Sequence, residues 1–442
     1  MNTPQSPHWL AKSVKGRLRW LLIGWMFMVS AVAYLDRVNV SIAGQALQKD
    51  HGLTDVQLGW VFSAFLIGYA LFQVPGGWLA DRFGPRLVIS AGVVWWGLFT
   101  TLTALVPFGI ASSLALLIGT RFVLGLGEAV LFPSSNKLVS AWIPSSERGL
   151  ANGLIFAGVG AGAGVTPPLI IYVLSRWGWQ CSFYVSAGIG LAVGLVWFLL
   201  VRDTPRTHPL ASAAEVEKIE AGMPVANKAH ERPLPWSAIL SSRNVWAITA
   251  SYFAYCYVTY IFFTWFFIYL SRVRGLDLKS SAVYSMLPFI AMVCGAPLGG
   301  WVADRITRDY SKRAGRCGVA IFGLMLAAVF LVVATQVESA RMASIVLAGG
   351  AGAIYLAQSA FWAVTADIAG KSAGTVSGLM NMGGQVGGAV TASLTPWIAE
   401  HFGWTASFLV AASVCLAGSL AWLLVNPETP ISIRPEPTQP TL

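Results

Sequence analysis

Long apolar runs alternate with short polar breaks along this chain. Twelve runs stand out, at 20–42, 57–80, 87–108, 112–137, 150–173, 180–200, 244–270, 281–303, 317–336, 342–366, 372–396 and 402–425. Each approaches or exceeds the roughly 20 residues needed to cross about 30 Å of hydrocarbon. In lipid every backbone amide must find its partner within a helix or a closed barrel. These runs far outlast the roughly 9–11 residues of a barrel strand and lack its two-residue alternation. The pattern predicts an all-α membrane protein with twelve transmembrane helices.

Composition removes the soluble alternative. Of 442 residues, 56% are hydrophobic and 11% charged, and the mean hydropathy is +0.65. An ordinary soluble domain carries about 25% charge, and no soluble fold of this size could hide so much apolar surface. The net charge of +10 would suit nucleic acid, but its distribution points to a membrane instead. With the N-terminus placed in the cytoplasm, twenty of the 29 Lys and Arg fall on the cytoplasmic side. Six (Lys49, Arg176, Arg272, Arg274, Lys279, Arg341) fall opposite, and three (Arg37, Arg121, Lys137) lie within or at the end of spans. The bias predicts a multi-pass inner-membrane protein with both termini cytoplasmic. A cleaved signal peptide ending at Ala33 is the competing reading of the N-terminus. It would leave eleven spans, invert the charge logic and discard the segment just before Asp36.

The chain repeats itself. GGWLADR at 76–82 returns as GGWVADR at 299–305, an offset of 223, and WGWQCSF at 177–183 returns as FGWTASF at 402–408, an offset of 225. A duplication of about 225 residues gives six spans per copy, both copies in the same orientation. Two six-helix bundles related by a pseudo-twofold axis along the membrane normal are expected, facing each other across a central cavity. The expected organisation is a cytoplasmic N-terminal tail (1–19), an N-terminal bundle (20–200), a cytoplasmic linker (201–243) with a short amphipathic helix in 211–220, a C-terminal bundle (244–425) and a cytoplasmic C-terminal tail (426–442).

Five scattered cysteines and five histidines form no metal-ligand, redox or nucleophile spacing. No metal site, cofactor or enzymatic activity is expected, and the Gly runs lack the strand–helix context of a nucleotide loop. Gly158, Gly160, Gly162 and Gly164 read as small residues that let helices approach closely. Pro133, Pro167, Pro168, Pro288 and Pro297 read as places where an i→i−4 bond is lost.

The segment GWLADRFGPR at 77–86 resembles the signature between helices 2 and 3 of the major facilitator superfamily, with GWVADR at 300–305 as its degenerate second copy. YLDRVNVSIA at 34–43 and the stretch from RFVLGLGEAVLFPSS to PSSER at 121–148 are similar to helices 1 and 4 of the anion:cation symporter family within it. The resemblance covers residues 18–425. It implies a secondary active transporter that carries an organic anion, a sugar acid such as a hexonate or hexuronate, together with protons by alternating access. It further implies a monomer whose partners are the anion, protons and the bilayer. It also implies a conformational latch at Gly77, Asp81, Arg82, Gly84, Arg86, Asp304 and Arg305 that stabilises the outward-facing state.

Charges inside a bilayer are costly and mark cavities or partners. Arg37, in the first span, offers a permanently charged fork suited to a carboxylate; it either binds the substrate anion or pairs with Asp36 or Glu128. Arg121 and Glu128 are seven residues apart in the fourth span, so they share a face about 10.5 Å apart in depth. Burial disfavours the charged form of a carboxyl and a nearby guanidinium favours it. A substrate anion arriving at the arginine would therefore promote protonation of Glu128. Asp36 is the second candidate for proton coupling, and a fixed Arg121–Glu128 pair is the structural alternative. Family members of the sugar-acid type use an aspartate and a glutamate matching these two.

Tyr34 and Tyr69 lie in the first two spans. Tyr355, Ser359 and Trp362 stripe one face of the tenth, and Asn381 and Gln385 are one turn apart in the eleventh. Hydroxyl and amide groups at such depths suit sugar hydroxyls, and Trp362 suits a ring face. The spacing of Ser359 and Trp362 with an asparagine in helix 11 resembles the C-terminal sugar-acid site of the family. The fifth span, LIFAGVGAGAGVTPPLI at 154–170, lacks the glutamine that some hexonate carriers place there. That departure keeps open a carrier or exchanger of another carboxylate, such as an aromatic or dicarboxylic acid.

Overall fold

The computed structural model describes residues 16–223, 233–266 and 269–431. Residues 1–15, 224–232 and 432–442, with Lys12, Lys15, Lys228, Arg232 and Arg434, lie outside the described residues, so both expected tails and the expected linker are described only in part. The first bundle comprises α1 (Leu18–His51), α2 (Asp55–Phe83), α3 (Pro85–Leu105), α4 (Ser113–Trp142), α5 (Arg148–Trp177) and α6 (Trp179–Leu200). The second comprises α7 (Arg243–Thr264), α8 (Leu287–Asp309), α9 (Gly318–Gln336), α10 (Ala340–Ala369), α11 (residues 373–402) and α12 (residues 404–421). The final 85 residues of apolar helix, Ala340–Leu424, are divided by Gly370 and Gly403, so the helices long and apolar enough to cross a membrane number twelve among the described residues.

Local chemistry sets the helix ends. Thr54 accepts from Gln57 N at 3.2 Å while Gln57 Oε1 accepts from Thr54 N at 2.9 Å, a reciprocal cap that starts α2. Gly178 (φ 83°) and Gly403 (φ 85°) make the tight α5–α6 and α11–α12 turns. They are the glycines of the repeated WGW and FGW motifs, because only glycine adopts this backbone without a Cβ penalty. In α4 the helix is interrupted after Glu128 and resumes at Leu131. Pro133 has no N–H to donate to the carbonyl four residues earlier, so the ladder loses a rung there. The acid thus sits at the end of a helical piece instead of in its middle.

The linker leaves α6 at Val201 and forms a short helix, Ala213–Ala221, close to the expected amphipathic segment. Its Ile219 is buried, and Glu215 accepts from the backbone N–H of Leu18 (3.3 Å) and Arg19 (3.1 Å) at the start of α1. The helix is docked onto the first bundle, and the side of the molecule it occupies is the linker face.

Candidate functional site

A small cavity lies between the bundles, with about 40 Å³ of open space. The first bundle contributes Tyr34, Tyr69, Phe132, Phe156 and Val159. From the second come Tyr252, Tyr255, Cys256, Thr259, Tyr260 and Phe263 of α7, Tyr355, Gln358 and Trp362 of α10, and Asn381 and Gln385 of α11. Ten of these sixteen residues are aromatic, so the walls are largely flat π faces. Phe132 and Phe156 stack with centroids 5.0 Å apart, and Phe156 meets Trp362 at 5.1 Å. The amides are occupied mainly with one another. Tyr260 donates to Gln385 Oε1 at 2.7 Å, Gln385 to Asn381 at 3.4 Å, and Asn381 to Gln73 of α2 at 2.8 Å. This relay of amides runs from one bundle to the other.

Of the residues singled out in the sequence, Tyr34, Tyr69, Tyr355, Trp362, Asn381 and Gln385 line this cavity. Ser359 does not line it; its hydroxyl is buried without a hydrogen-bond partner. The α7 group of Tyr252, Tyr255, Thr259, Tyr260 and Phe263 escaped the sequence reading. Its 3–4 residue spacing is the available signal, hidden because aromatic residues lie on every side of the span, which reads as lipid-facing. Gln73, one turn after Tyr69, was missed as an isolated amide.

The intramembrane charges sit behind Tyr34 and Tyr69 in the first bundle. Arg37 Nε donates to Glu128 Oε1, and the Glu128 side chain is 1% exposed. The guanidinium lies 4.0 Å from the Tyr69 ring centroid and 4.9 Å from that of Tyr34, so two cavity-lining rings hold it. Glu128 therefore pairs with Arg37 on the neighbouring helix, and not with Arg121 on its own. Seven residues of helix separate Glu128 from Arg121 too far in depth, whereas α1 brings Arg37 alongside. Arg121 instead lies over Phe65 at 5.0 Å, with buried Nε and Nη1 lacking hydrogen-bond partners. Asp36 points toward α3, where Thr100 donates to it at 2.6 Å. Arg37 Nη2 and Glu128 Oε2 are buried and unpartnered as well. A buried polar atom without a partner costs about 1–3 kcal/mol. This cluster of two cations and two acids therefore has hydrogen-bonding capacity that its own members do not use.

The linker face is closed by two symmetry-related seams. Asp81, at the end of α2, accepts from Gly374 N (3.1 Å), Thr375 N (2.7 Å) and Thr375 Oγ1 (2.6 Å) at the start of α11. Asp304, at the end of α8, accepts from Gly149 N (2.9 Å) and Leu150 N (2.6 Å) at the start of α5. Each carboxylate caps a helix N-terminus of the opposite bundle, where amide donors and the helix dipole favour negative charge. Backbone meets backbone beneath each cap: a Cβ on Gly77 would lie 2.1 Å from Gly374 O, and one on Gly300 2.1 Å from Gly149 O. Lys137 pairs with Asp81 at 3.2 Å and Arg316 with Asp304 at 2.6 Å, while Arg148 joins Asp367 across the bundles at 2.6 Å.

Arg82 and Arg305 take no part in these bonds. Both are exposed, Arg82 over Trp78 and Phe83, and Arg305 paired with Asp309 one turn along its own helix. A residue next to a buried one on a helix points about 100° away, and so faces outward. Gly84 (φ 86°) starts the α2–α3 turn over Asp203, whose Oδ1 accepts from Arg86 N at 2.9 Å; both stay within the first bundle.

Comparison with known proteins gives this architecture its family. The model of the Major Facilitator Superfamily matches residues 26–392 and 310–441, and the chain belongs to that superfamily. It is 34% identical over 413 residues to a probable sulfoacetate transporter of Cupriavidus necator, covering 93% of this chain and 94% of that protein. It is 30% identical over 443 residues to a probable galactarate/D-glucarate transporter of Bacillus subtilis, covering 96% of both. The relatives place it with the anion:cation symporter type of the superfamily. Among solved structures, the proton:xylose symporter XylE bound to 6-bromo-6-deoxy-D-glucose shares the fold. The TM-score is 0.72 at 14% identity, over 90% of this chain and 94% of that one.

Proposed function

We propose that this chain is a secondary transporter that carries an organic anion, of the sugar-acid kind, together with protons by alternating access. The observation that carries the reading is the Arg37–Glu128 pair, buried against two rings of the central cavity. A substrate carboxylate or sulfonate that engages Arg37 competes with Glu128 for the guanidinium. A carboxylate that loses its cation in a low-dielectric site takes up a proton. Anion binding and proton binding are thereby coupled at a single arginine, with Asp36 and Arg121 as the second acid and cation of the cluster.

The cavity-lining Tyr34, Tyr69, Tyr355, Trp362, Asn381 and Gln385 are proposed to contact the rest of the substrate, with Ser359 supporting them from behind. The Asp81 and Asp304 caps, with Gly77, Gly84, Arg86, Arg82 and Arg305 around them, are proposed as the latch of the state closed on the linker face. The ten aromatic residues of the cavity favour, within the second reading of an aromatic or dicarboxylic acid, the aromatic one. Uptake of labelled hexonates, hexuronates, sulfoacetate and benzoates into vesicles, with and without an inward proton gradient, separates these readings; accumulation indifferent to the gradient would remove the symport mechanism.

Arg37→Lys should weaken binding by roughly ten- to a hundred-fold despite keeping the charge. The planar fork is lost, and a hydrogen bond to a charged group is worth about 1.5–3 kcal/mol. Unchanged affinity in the purified variant would exclude direct anion binding by Arg37. The linker face is proposed to be cytoplasmic, in an inner-membrane monomer with both termini inside and bundles at 20–200 and 244–425. Reporter fusions after residue 225 should read cytoplasmic and fusions near residue 275 external, and the reverse pattern would invert the proposed topology.

A further inference from the structure

The chain leaves α6 through a turn built around one buried imidazole. His208 Nε2 lies 2.8 Å from Leu200 O, and Leu210 N donates to His208 Nδ1 at 3.1 Å. A carbonyl can only accept and a backbone amide can only donate, so these two bonds fix the neutral ring with its proton on Nε2. The ring packs edge-on against Trp142 at the end of α4, 5.6 Å between centroids, and the residue is 6% exposed.

The segment after His208 is mechanically connected to the closed face. Ser212 caps the linker helix, accepting from Glu215 N at 3.3 Å. Glu215 holds the start of α1, and Gly222 O at the helix end accepts from Ser145 N at 2.9 Å. Ser145 is where the first bundle meets the charges of the second. Its hydroxyl donates to Asp367 at 2.9 Å, and its carbonyl accepts from Arg316 Nη2 at 2.6 Å.

We propose that His208 is a pH-sensitive pin, and that protonation of its ring releases the linker helix from the first bundle and loosens the seam at Ser145. A second ring proton goes onto Nδ1, where it faces the Leu210 N–H donor-to-donor, so one buried hydrogen bond becomes a repulsion. The charged groups facing the ring are Arg202, at the end of α6, which opposes a positive imidazole, and Glu215, on the linker helix, which favours one. Burial is the dominant effect and holds the His208 pKa below its ordinary value. Below about pH 6.5 the released ring binds more protons than the docked one, so docking weakens as the pH falls, by up to about tenfold per pH unit. Where the linker face is cytoplasmic, as proposed above, proton import would itself acidify the compartment that this pin senses. The device does not depend on which anion is carried.

Hydrogen exchange of the full chain in lipid nanodiscs tests it. The side-chain amide of Gln places an acceptor and a donor about as far apart as the two imidazole nitrogens, so His208→Gln preserves both bonds and cannot be charged. Wild type and variant are compared at equal pH, which cancels the intrinsic chemistry of exchange. As the pH falls from about 7 to about 5, wild type should lose more protection over residues 213–221 and at Ser145 than His208→Gln, by up to about thirtyfold. An identical response in the two proteins would assign the effect to a group other than His208 and overturn the proposal, as would no response in wild type. Should the variant fail to fold, NMR titration of the histidine rings in wild type decides. The His208 transition must share its midpoint with linker exchange, and separate midpoints overturn the pin.

Discussion

A reconstituted Glu128→Gln carrier is expected to bind its anion and exchange it across the bilayer, yet to accumulate none of it against a gradient. Glutamine fills the same volume and still offers Arg37 an acceptor oxygen, so the junction of α1 and α4 keeps its shape. What disappears is the negative charge that balances the guanidinium. The variant then resembles the protonated carrier at every pH, and its affinity should lose most of its pH dependence. Exchange survives because neither direction of the cycle requires a proton to leave; net uptake fails because no proton gradient can be harnessed. A purely architectural ion pair predicts a different outcome. Removing one partner of a buried pair costs about 3–5 kcal/mol through the charge left behind, so stability, binding and exchange would decline together. Thermal stability, counterflow and gradient-driven uptake measured on one preparation distinguish the two. Intact accumulation would move the proton to Asp36, whose carboxylate is held by Thr100 on α3.

The second large effect is expected at the linker face. Asp81→Asn keeps one acceptor oxygen but loses the charge that three donors of α11 and Lys137 converge on. Hydrogen bonds to charged groups are worth about 1.5–3 kcal/mol each. Losing about 3 kcal/mol from the closed arrangement shifts the balance of states roughly a hundredfold toward the form open on this face. Transport should fall at least tenfold while the protein remains folded, since Asp304, Arg316, Arg148 and Asp367 still tie the bundles elsewhere. Spin labels on the linker-side ends of α2 and α11 should report a longer distance in the variant. An unchanged distance distribution with unchanged uptake would show that the cap is not a latch.

Much of this architecture is legible in the sequence alone. The spans and the duplication emerge from hydropathy and spacing, because helix length is a local property. Partnership is not local. Glu128 and Arg121 share a chain segment, but Glu128 bonds to Arg37 because α1 packs beside α4, which no spacing within α4 reveals. The GGWLADR and GGWVADR motifs mark the right helix ends. They cannot tell that the aspartate turns inward to the opposite bundle while the adjacent arginine turns out. The aromatic wall of α7 is hidden for a related reason: in an apolar span, a tyrosine facing a cavity and one facing lipid look alike in the sequence.

The glycine contacts beneath the two caps have a practical consequence. Gly77 on Gly374 and Gly300 on Gly149 are places where one main chain rests directly on another, with no side chain between to yield. A single added carbon there acts as a doorstop, holding one seam ajar while its symmetry mate remains free to close. Point changes at these four positions would therefore supply a graded set of jammed carriers. Such proteins are suited as bait for binders that recognise one posture of the transporter and ignore the other.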